Sequence, residues 1–272
     1  MKHLFTTILL CLTALFATAE TWTDVNGVTY TFSTDYVNGE QKANIYNIED
    51  CPKNLVIPDK VYIGTTAYEV YKISGNLLAS EEKSKIENIV MPNTIISIDS
   101  YSFHDCTSLK TVILSTSLQN IGDCAFANCP SLKQISLPVS CKSIGNQVFY
   151  ICTSLKTIDV PATTIGTEAF KGCTSLQNVV LSGPITTIKE STFKDCTSLL
   201  KINLPSTITT IEKEAFYNCT SLEIKAPASL TSIGENAFYG SNIIHIAATT
   251  PPTLKSSNLI NATALVLVPE TL

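Results

Sequence analysis

Arginine is absent from this chain. All 18 basic residues are lysines, and with 23 acidic residues the formal net charge is −5 at pH 7. Arginine is the side chain that recognises phosphates and guanine edges through two parallel hydrogen bonds. Because an acidic chain without arginine is a poor nucleic-acid binder, nucleic acid is excluded as a partner.

Histidine and tryptophan are scarce, with three His and one Trp in 272 residues. The motifs G-x-S-x-G, H-E-x-x-H, G-x-G-x-x-G, the P-loop and C-x-x-C are absent, and the turns lack the D-x-D-x-D-G pattern of calcium loops. We therefore expect no enzyme, no cofactor and no metal site. Only 15% of the residues are charged and 44% are hydrophobic, which favours a packed core over disorder.

Long apolar runs are limited to one, from Leu4 to Phe16. It follows Lys2 and His3 and precedes the small-residue site Ala17-Thr18-Ala19, which is the pattern of a secretory signal peptide. The run is too short to span a membrane comfortably. We predict a signal peptide at residues 1–19 and a mature protein that is secreted or at the cell surface, with no transmembrane segment.

An internal repeat dominates the rest of the chain. Seven phenylalanines recur every 21–23 residues, at Phe103, Phe126, Phe149, Phe170, Phe193, Phe216 and Phe238. Five residues before each stands an isoleucine, at Ile98, Ile121, Ile144, Ile165, Ile188, Ile211 and Ile233. Three residues after the first six stands a cysteine, at Cys106, Cys129, Cys152, Cys173, Cys196 and Cys219, and a leucine follows three residues later. So many fixed positions predict one structural unit per copy.

Each copy contains two apolar groups. Leu132, Ile135 and Leu137 match the leucine-rich-repeat strand L-x-x-L-x-L, and the last two alternate as a β-strand does. Ile121 and Phe126 form the second group, which we expect to face inward from the opposite wall. One unit cannot bury both groups by itself, but stacked units form a continuous core.

We therefore predict an α/β-type repeat solenoid over residues 55–272, with clear repeats from 98 to 246. It is a leucine-rich-repeat horseshoe with coils of about 22–23 residues, a parallel sheet on the concave face and an irregular or short helical convex side. Residues 20–54 depart from the repeat. There, Asn26-Gly27 and Asn38-Gly39 stand between alternating apolar runs, which predicts an N-terminal β-hairpin cap over the first coil.

The copies IGDCAFANCPSL (121–132) and IEKEAFYNCTSL (211–222), the Leu-Pro boundaries and the hairpin VNGVTY (25–30) resemble the BspA-like leucine-rich-repeat family. The resemblance extends over roughly residues 24–270. It implies a bacterial or protozoan surface protein that binds host extracellular-matrix proteins or neighbouring cells. It implies no catalytic residues, because the shared positions are scaffold.

The recurring cysteines are open to three interpretations: a metal site, a disulfide framework or buried thiols. A continuous ladder of disulfides between coils strains their geometry, whereas free Cys is a small and well-buried hydrophobe. The mature chain keeps nine cysteines, so complete intramolecular pairing is impossible. We favour buried thiols, and the sequence supports no pairing among Cys51, Cys124 and Cys141. We interpret the phenylalanines as core, and His104 and His245 as surface residues.

The outward-facing positions of the predicted sheet form the candidate binding surface, because repeat arrays recognise partners through their concave sheet. Its candidate binding residues are Lys110, Lys133, Gln134, Lys156, Thr157, Asp159, Gln177, Asn178, Lys201 and Asn203. We expect weak, multivalent binding of a host or neighbouring-cell surface or matrix protein. The alternative is a surface glycan-binding module, which an exposed aromatic cluster would favour. A hydrolase or redox protein that uses the cysteines is a third hypothesis, and the oligomeric state stays open.

Overall fold

A computed structural model describes residues 19–241, 243–246, 252–254 and 265–267. In these residues the chain winds into stacked coils that share one hydrophobic core. The only helix in the described part is one turn, Ser80–Lys83. The prediction of a leucine-rich-repeat solenoid with parallel sheets is confirmed. Residues 1–18 of the predicted signal peptide lie outside the described residues.

One wall of the solenoid is a parallel sheet that we call the long-strand face. Its strands are Asn54–Val56, Asn88–Val90, Thr111–Ile113, Gln134–Ile135, Thr157–Val160, Asn178–Leu181, Lys201–Asn203, Glu223–Ala226, Ile243–Ile246 and Leu265–Leu267. They pair in three groups, interrupted between residues 135 and 157 and between residues 203 and 223. Single backbone hydrogen bonds still cross the interruptions, as from the Lys156 amide to the Lys133 carbonyl. The face is therefore continuous along the array.

The opposite wall is a second parallel sheet, the short-strand face, where the sequence predicted an irregular or short helical side. Its strands are Ser97–Ile98, Asn120–Ile121, Ser143–Ile144, Thr164–Ile165, Thr187–Ile188, Thr210–Ile211, Ser232–Ile233 and Thr253–Leu254. In the first seven, the isoleucine is buried and the preceding Ser, Thr or Asn faces outward. This wall is more regular than expected, because two-residue strands in tight register replace helical connections.

Between the isoleucine of each short strand and the leucine before the next long strand lies a segment that we call the phenylalanine arc. In each arc, the residues two positions before and two positions after the phenylalanine adopt the left-handed backbone conformation. Around Phe103, for example, these are Tyr101 and Asp105. In the first arc, the N–H groups of Tyr101, Phe103 and Asp105 donate to carbonyls of the following coil at 2.8–2.9 Å, and the corresponding hydrogen bonds of the next five arcs are 2.6–3.0 Å long. Left-handed conformation costs a non-glycine residue about 1–2 kcal/mol, and the hydrogen bonds between coils offset that cost.

The phenylalanines stack along the solenoid axis, as expected of core residues. All seven are at most 2% exposed. Neighbouring ring centroids lie 5.3–5.8 Å apart with interplanar angles of 2–16°. Aromatic pairs in such contact contribute about 0.5–1.5 kcal/mol each beyond burial. The stack therefore couples the seven coils from Phe103 to Phe238 to one another.

The N-terminal end of the solenoid carries antiparallel strands. Glu20–Thr23, Thr29–Val37 and Glu40–Glu49 form two hairpins, and the last pairs in parallel with Thr66–Ile73. The predicted β-hairpins are therefore present. A further hairpin joins Thr66–Ile73 to Lys60–Ile63, which the sequence analysis did not anticipate. The boundary at residue 54 between cap and solenoid stays a prediction.

Candidate functional site

The long-strand face is a regular surface whose outward positions are exposed to solvent in the described residues. Each strand alternates, so that Val112, for example, is 5% exposed while its neighbour Ile113 is 61% exposed. Three outward positions per coil line up across the strands. The first column contains the residue directly after the repeat leucine, such as Lys110. The second column contains the next residue, such as Thr111, and the third column contains the residue two positions after that, such as Ile113.

All ten predicted binding residues lie exposed on this face. Lys110, Lys133, Lys156 and Gln177 stand in the first column, where the amide of each later residue donates to the carbonyl of the one before it. The second column holds Gln134, Thr157, Asn178 and Lys201, and the third holds Asp159 and Asn203. The structure therefore brings the ten residues together on one face of the solenoid. Their role in binding stays a prediction.

The second column begins as a hydrogen-bonded ladder of uncharged side chains. The Asn88 amide donates to the Asn54 side-chain carbonyl at 2.6 Å, and the Thr111 hydroxyl donates to the Asn88 side-chain carbonyl. Both contacts join neighbouring coils of this face. This part of the face is therefore fixed by its own side chains, whereas the first column beside it is charged.

The lysines of the first column differ in their partners. Glu87 accepts ion pairs from Lys53 at 3.5 Å and from Lys110 at 2.7 Å. Lys133 and Lys156, in the next two coils, have no carboxylate within 4.0 Å among the described residues. Parallel strands lie about 4.8 Å apart, so these two lysines occupy neighbouring positions of the column, and neither forms an ion pair in the described residues.

The third column contains residues that the sequence analysis did not select. Val56, Val90 and Ile113 form its first three members and are 62%, 36% and 61% exposed. The strand Leu55-Val56-Ile57 is apolar at every position, so its sequence does not show which residue faces outward. Alternation in the sequence places Ile113 outward, but only the register with the neighbouring coils aligns it with Val56 and Val90 in one exposed apolar stripe.

The cysteines of the repeat are buried thiols, as favoured from the sequence. All nine cysteines in the described residues are free and buried. In the repeat, each Sγ from Cys129 onward donates to the phenylalanine carbonyl one coil earlier, as from Cys152 to Phe126 at 3.2 Å. In the last described coil, Ser241 replaces the cysteine and its hydroxyl donates to the Phe216 carbonyl at 3.0 Å. The cysteine is therefore a hydrogen-bond donor within the core.

Burial also suppresses the chemistry of these thiols. Removal from solvent raises the pKa of Cys152 to about 12 and that of Cys141, which lies outside the repeat position, to about 11. The pKa values of Cys173 and Cys196 are raised for the same reason. Because the thiolate is the reactive form, thiols of this kind are poor nucleophiles at neutral pH.

The remaining chemistry-bearing groups do not converge. His104 contacts Asp105 at 2.8 Å, and His245 lies 3.8 Å from Glu223 on a different part of the array. Both histidines are partly exposed. Among the residues that the structure describes, no three His, Cys, Asp or Glu side chains are placed to share a metal ion. In the same residues, no helix has the length and apolar character to cross a bilayer.

The stacked coils, the two parallel walls and the buried phenylalanine stack define a leucine-rich-repeat β-solenoid. A family model described as the BspA type leucine rich repeat region matches residues 80–196 and 162–259 with six copies. The chain belongs to this family.

Solved structures with the same architecture are known. The Treponema pallidum leucine rich repeat protein aligns with a TM-score of 0.65 and 23% identity, over 74% of this chain and 91% of that one. A leucine rich cell surface protein from Faecalibacterium prausnitzii A2-165 aligns with a TM-score of 0.59 and 28% identity, over 89% of this chain and 57% of that one. No curated protein matches the chain.

Proposed function

We propose that this chain is an exported, non-catalytic protein of the cell surface or the extracellular space, and that it binds another protein through the long-strand face. The observation that carries the proposal is the exposed, continuous parallel sheet with its ten polar candidate residues. Repeat arrays use such extended surfaces for recognition. Its partner is a matrix or surface protein of a host or neighbouring cell.

Two further observations support export and surface location. The first 19 residues have the charged start, apolar run and small-residue site of a signal peptide. The similar protein from F. prausnitzii is described as a leucine rich cell surface protein. The BspA type family, to which the chain belongs, implies adhesion to matrix proteins or cells.

The buried thiols support a non-catalytic role. If the fold is as described, Ellman's reagent at pH 8 reacts with the cysteines of the native chain only at the rate at which the chain unfolds. Addition of guanidinium chloride then exposes the full thiol content at once. Rapid reaction of one or more thiols in the native state would instead favour a redox or hydrolytic role.

The binding test uses surfaces coated with fibronectin, fibrinogen or laminin, together with mucin and a glycan array. Thr157→Tyr/Asn203→Tyr adds bulk without charge to the long-strand face, and tyrosine is well tolerated in strands. The matched control, Thr186→Tyr/Thr209→Tyr, places the same change at exposed positions of the opposite wall. We expect saturable binding to at least one protein, weakened at least tenfold by the first pair and less than twofold by the second.

Two outcomes would contradict the proposal. Absence of binding to every protein surface and to cultured cells would reject the adhesive role. Binding to glycans alone would favour the glycan-binding module instead. That alternative has less support, because no aromatic residue stands in the three columns of the face within the described residues.

A further inference from the structure

The long-strand face has the opposite charge sign from the chain that carries it. The whole chain has 18 lysines and 23 acidic residues. The outward columns of the face contain six lysines and three acidic residues: Lys53, Lys110, Lys133, Lys156, Lys201 and Lys225, with Glu87, Asp159 and Glu223. The solenoid therefore presents a cationic sheet on an acidic molecule, and local charge of this kind steers the approach of an anionic partner.

The pair Lys133 and Lys156 contrasts with a second pair of lysines on another surface. Lys171 and Lys194 also occupy equivalent positions in consecutive coils, just after the arc phenylalanine, and each has its own carboxylate: Glu168 for Lys171, at 2.6 Å, and Glu214 for Lys194. Lys133 and Lys156 have the same coil-to-coil relation, marked by the 3.4 Å hydrogen bond between their backbones, and no acid beside them. Like charges directly opposite each other on a sheet destabilise it, so we expect an anion bound across this pair to be favoured.

An apolar stripe lies on the same face. Val56, Val90 and Ile113 are exposed in the first three coils, and Ile113 shares its strand segment with Lys110. The two side chains are three residues apart, about 10 Å along a strand. A partner that covers Lys133 and Lys156 and also reaches the stripe must supply carboxylates along one edge and aliphatic side chains along the other.

We infer that the long-strand face recognises an acidic segment of a partner protein, with carboxylates against Lys133 and Lys156 and aliphatic side chains against Val56, Val90 and Ile113. This inference rests on the proposed function and adds the chemistry of the partner. A sulfated polysaccharide would match the lysines but would leave the aliphatic stripe uncovered. Burial of apolar surface contributes about 25 cal/mol per Å², which favours the protein segment.

The test begins with a random 12-residue phage-displayed peptide library selected on the purified chain. Counter-selection uses Lys133→Glu/Lys156→Glu. We expect enriched peptides to carry net negative charge together with Leu, Ile or Val. Absence of enrichment, or enrichment of neutral or basic peptides, would overturn the inference. Heparin is measured in parallel, and tighter binding of heparin than of any selected peptide would assign the lysines to a polysaccharide instead.

Matched variants then locate the contact for the strongest selected peptide. Lys133→Glu/Lys156→Glu should weaken it at least tenfold, whereas Lys142→Glu/Lys213→Glu, the same charge change at exposed lysines outside the long-strand face, should change it less than twofold. Equal losses in the two double variants would mean that only overall charge matters. Circular dichroism and the thermal midpoint check that each variant is folded.

The apolar contact has its own control. Ile113→Ser should weaken the peptide at least threefold, and Val139→Ser, at a 94% exposed site in a turn, should leave it unchanged. Failure of the inference is distinguishable from failure of the proposed function. If a matrix protein binds and its binding depends on the tyrosine pair on this face but survives the lysine reversal, the function stands and the acidic partner is wrong.

Discussion

Replacement of Phe170 by alanine tests the phenylalanine stack most directly. The Phe170 ring is fully buried and lies between Phe149 at 5.4 Å and Phe193 at 5.3 Å, nearly parallel to both. A buried Phe→Ala change costs about 3–5 kcal/mol in the free energy of unfolding, at the upper end where the cavity cannot collapse. Collapse here requires the two flanking rings to move along the axis, against the hydrogen bonds of their own coils. We therefore expect about 4–5 kcal/mol.

A second substitution separates stacking from burial. Phe170→Leu keeps most of the apolar volume and removes two aromatic contacts, so it should cost about 1–3 kcal/mol. Phe103→Ala removes a ring with one aromatic neighbour in the described stack, Phe126, and should cost about 1 kcal/mol less than Phe170→Ala. Lys156→Ala, on the exposed sheet, should stay within about 0.5 kcal/mol.

The assay is urea unfolding followed by circular dichroism and intrinsic fluorescence. The slope of free energy against urea must be compared between variants, because a repeat array with one weakened coil can unfold in parts and then shows a lower slope. Equal effects of Phe170→Ala and Lys156→Ala would refute the assignment of inside and outside on which the site depends.

Other predictions concern the thiols and the glycines. Cys152→Ser keeps a donor to the Phe126 carbonyl, as Ser241 does naturally for the Phe216 carbonyl. Cys152→Ala should therefore lower the free energy of unfolding in urea by about 1 kcal/mol more than Cys152→Ser does. The reverse order would contradict a hydrogen-bonding role for Cys152. Burial raises the pKa of Cys152 to about 12 from an ordinary 9.0, so the folded chain disfavours the thiolate. The stability that the neutral Cys152 thiol contributes is therefore complete below pH 9 and is lost between pH 9 and 12, at about 1.4 kcal/mol per pH unit. Urea midpoints at pH 8 and pH 10.5 should therefore differ less in Cys152→Ser than in the unmodified chain. Gly166→Ala places its Cβ 2.3 Å from backbone atoms of Gly145 and should cost about 1–3 kcal/mol in the free energy of unfolding, whereas an exposed Thr→Ala change on the same face should cost little. An unchanged thermal midpoint of Gly166→Ala would show that the two coils can move apart there.

The repeat allowed the coil to be predicted because each fixed position has a single packing role. The phenylalanine, the cysteine and the leucine recur in register and are buried in each of the first six clear copies. The short-strand face was not predicted as a sheet, because a strand such as Asn120–Ile121 contributes one inward residue and offers no alternation to detect. The left-handed positions gave no signal either, since residues as different as Ile151 and Glu168 occupy them. Hydrogen bonds between coils, rather than residue type, determine that conformation.

The candidate face was predicted in part. Alternation alone placed the ten polar residues outward, and the structure shows each of them exposed. The difference between Lys110, which pairs with Glu87, and Lys133, which has no such partner in the described residues, depends on contacts across coils. The stripe that includes Val90 depends in the same way on register, because a short, wholly apolar strand is ambiguous by itself. The chemistry of the face therefore required the three-dimensional stacking.

The phenylalanine arc has one length in the six clear copies that carry the repeat leucine. Eleven residues separate Ile98 from Leu109 in the first clear copy and Ile211 from Leu222 in the sixth. A change of one residue here would shift three N–H donors out of line with the carbonyls of the following coil, and would misplace the ring and the thiol together. The arc therefore tolerates neither insertion nor deletion.

Among the six clear copies that carry the repeat leucine, coil length varies on the other connection, from the long strand to the short strand. Leu132 and Ile144 are twelve residues apart, but Leu155 and Ile165 are ten apart. There, side chains join neighbouring coils, as the Ser140 hydroxyl does when it donates to the Thr116 carbonyl at 2.8 Å. New loops can therefore arise in this connection, beside the long-strand face, and the surface there can vary while the phenylalanine arcs stay unchanged.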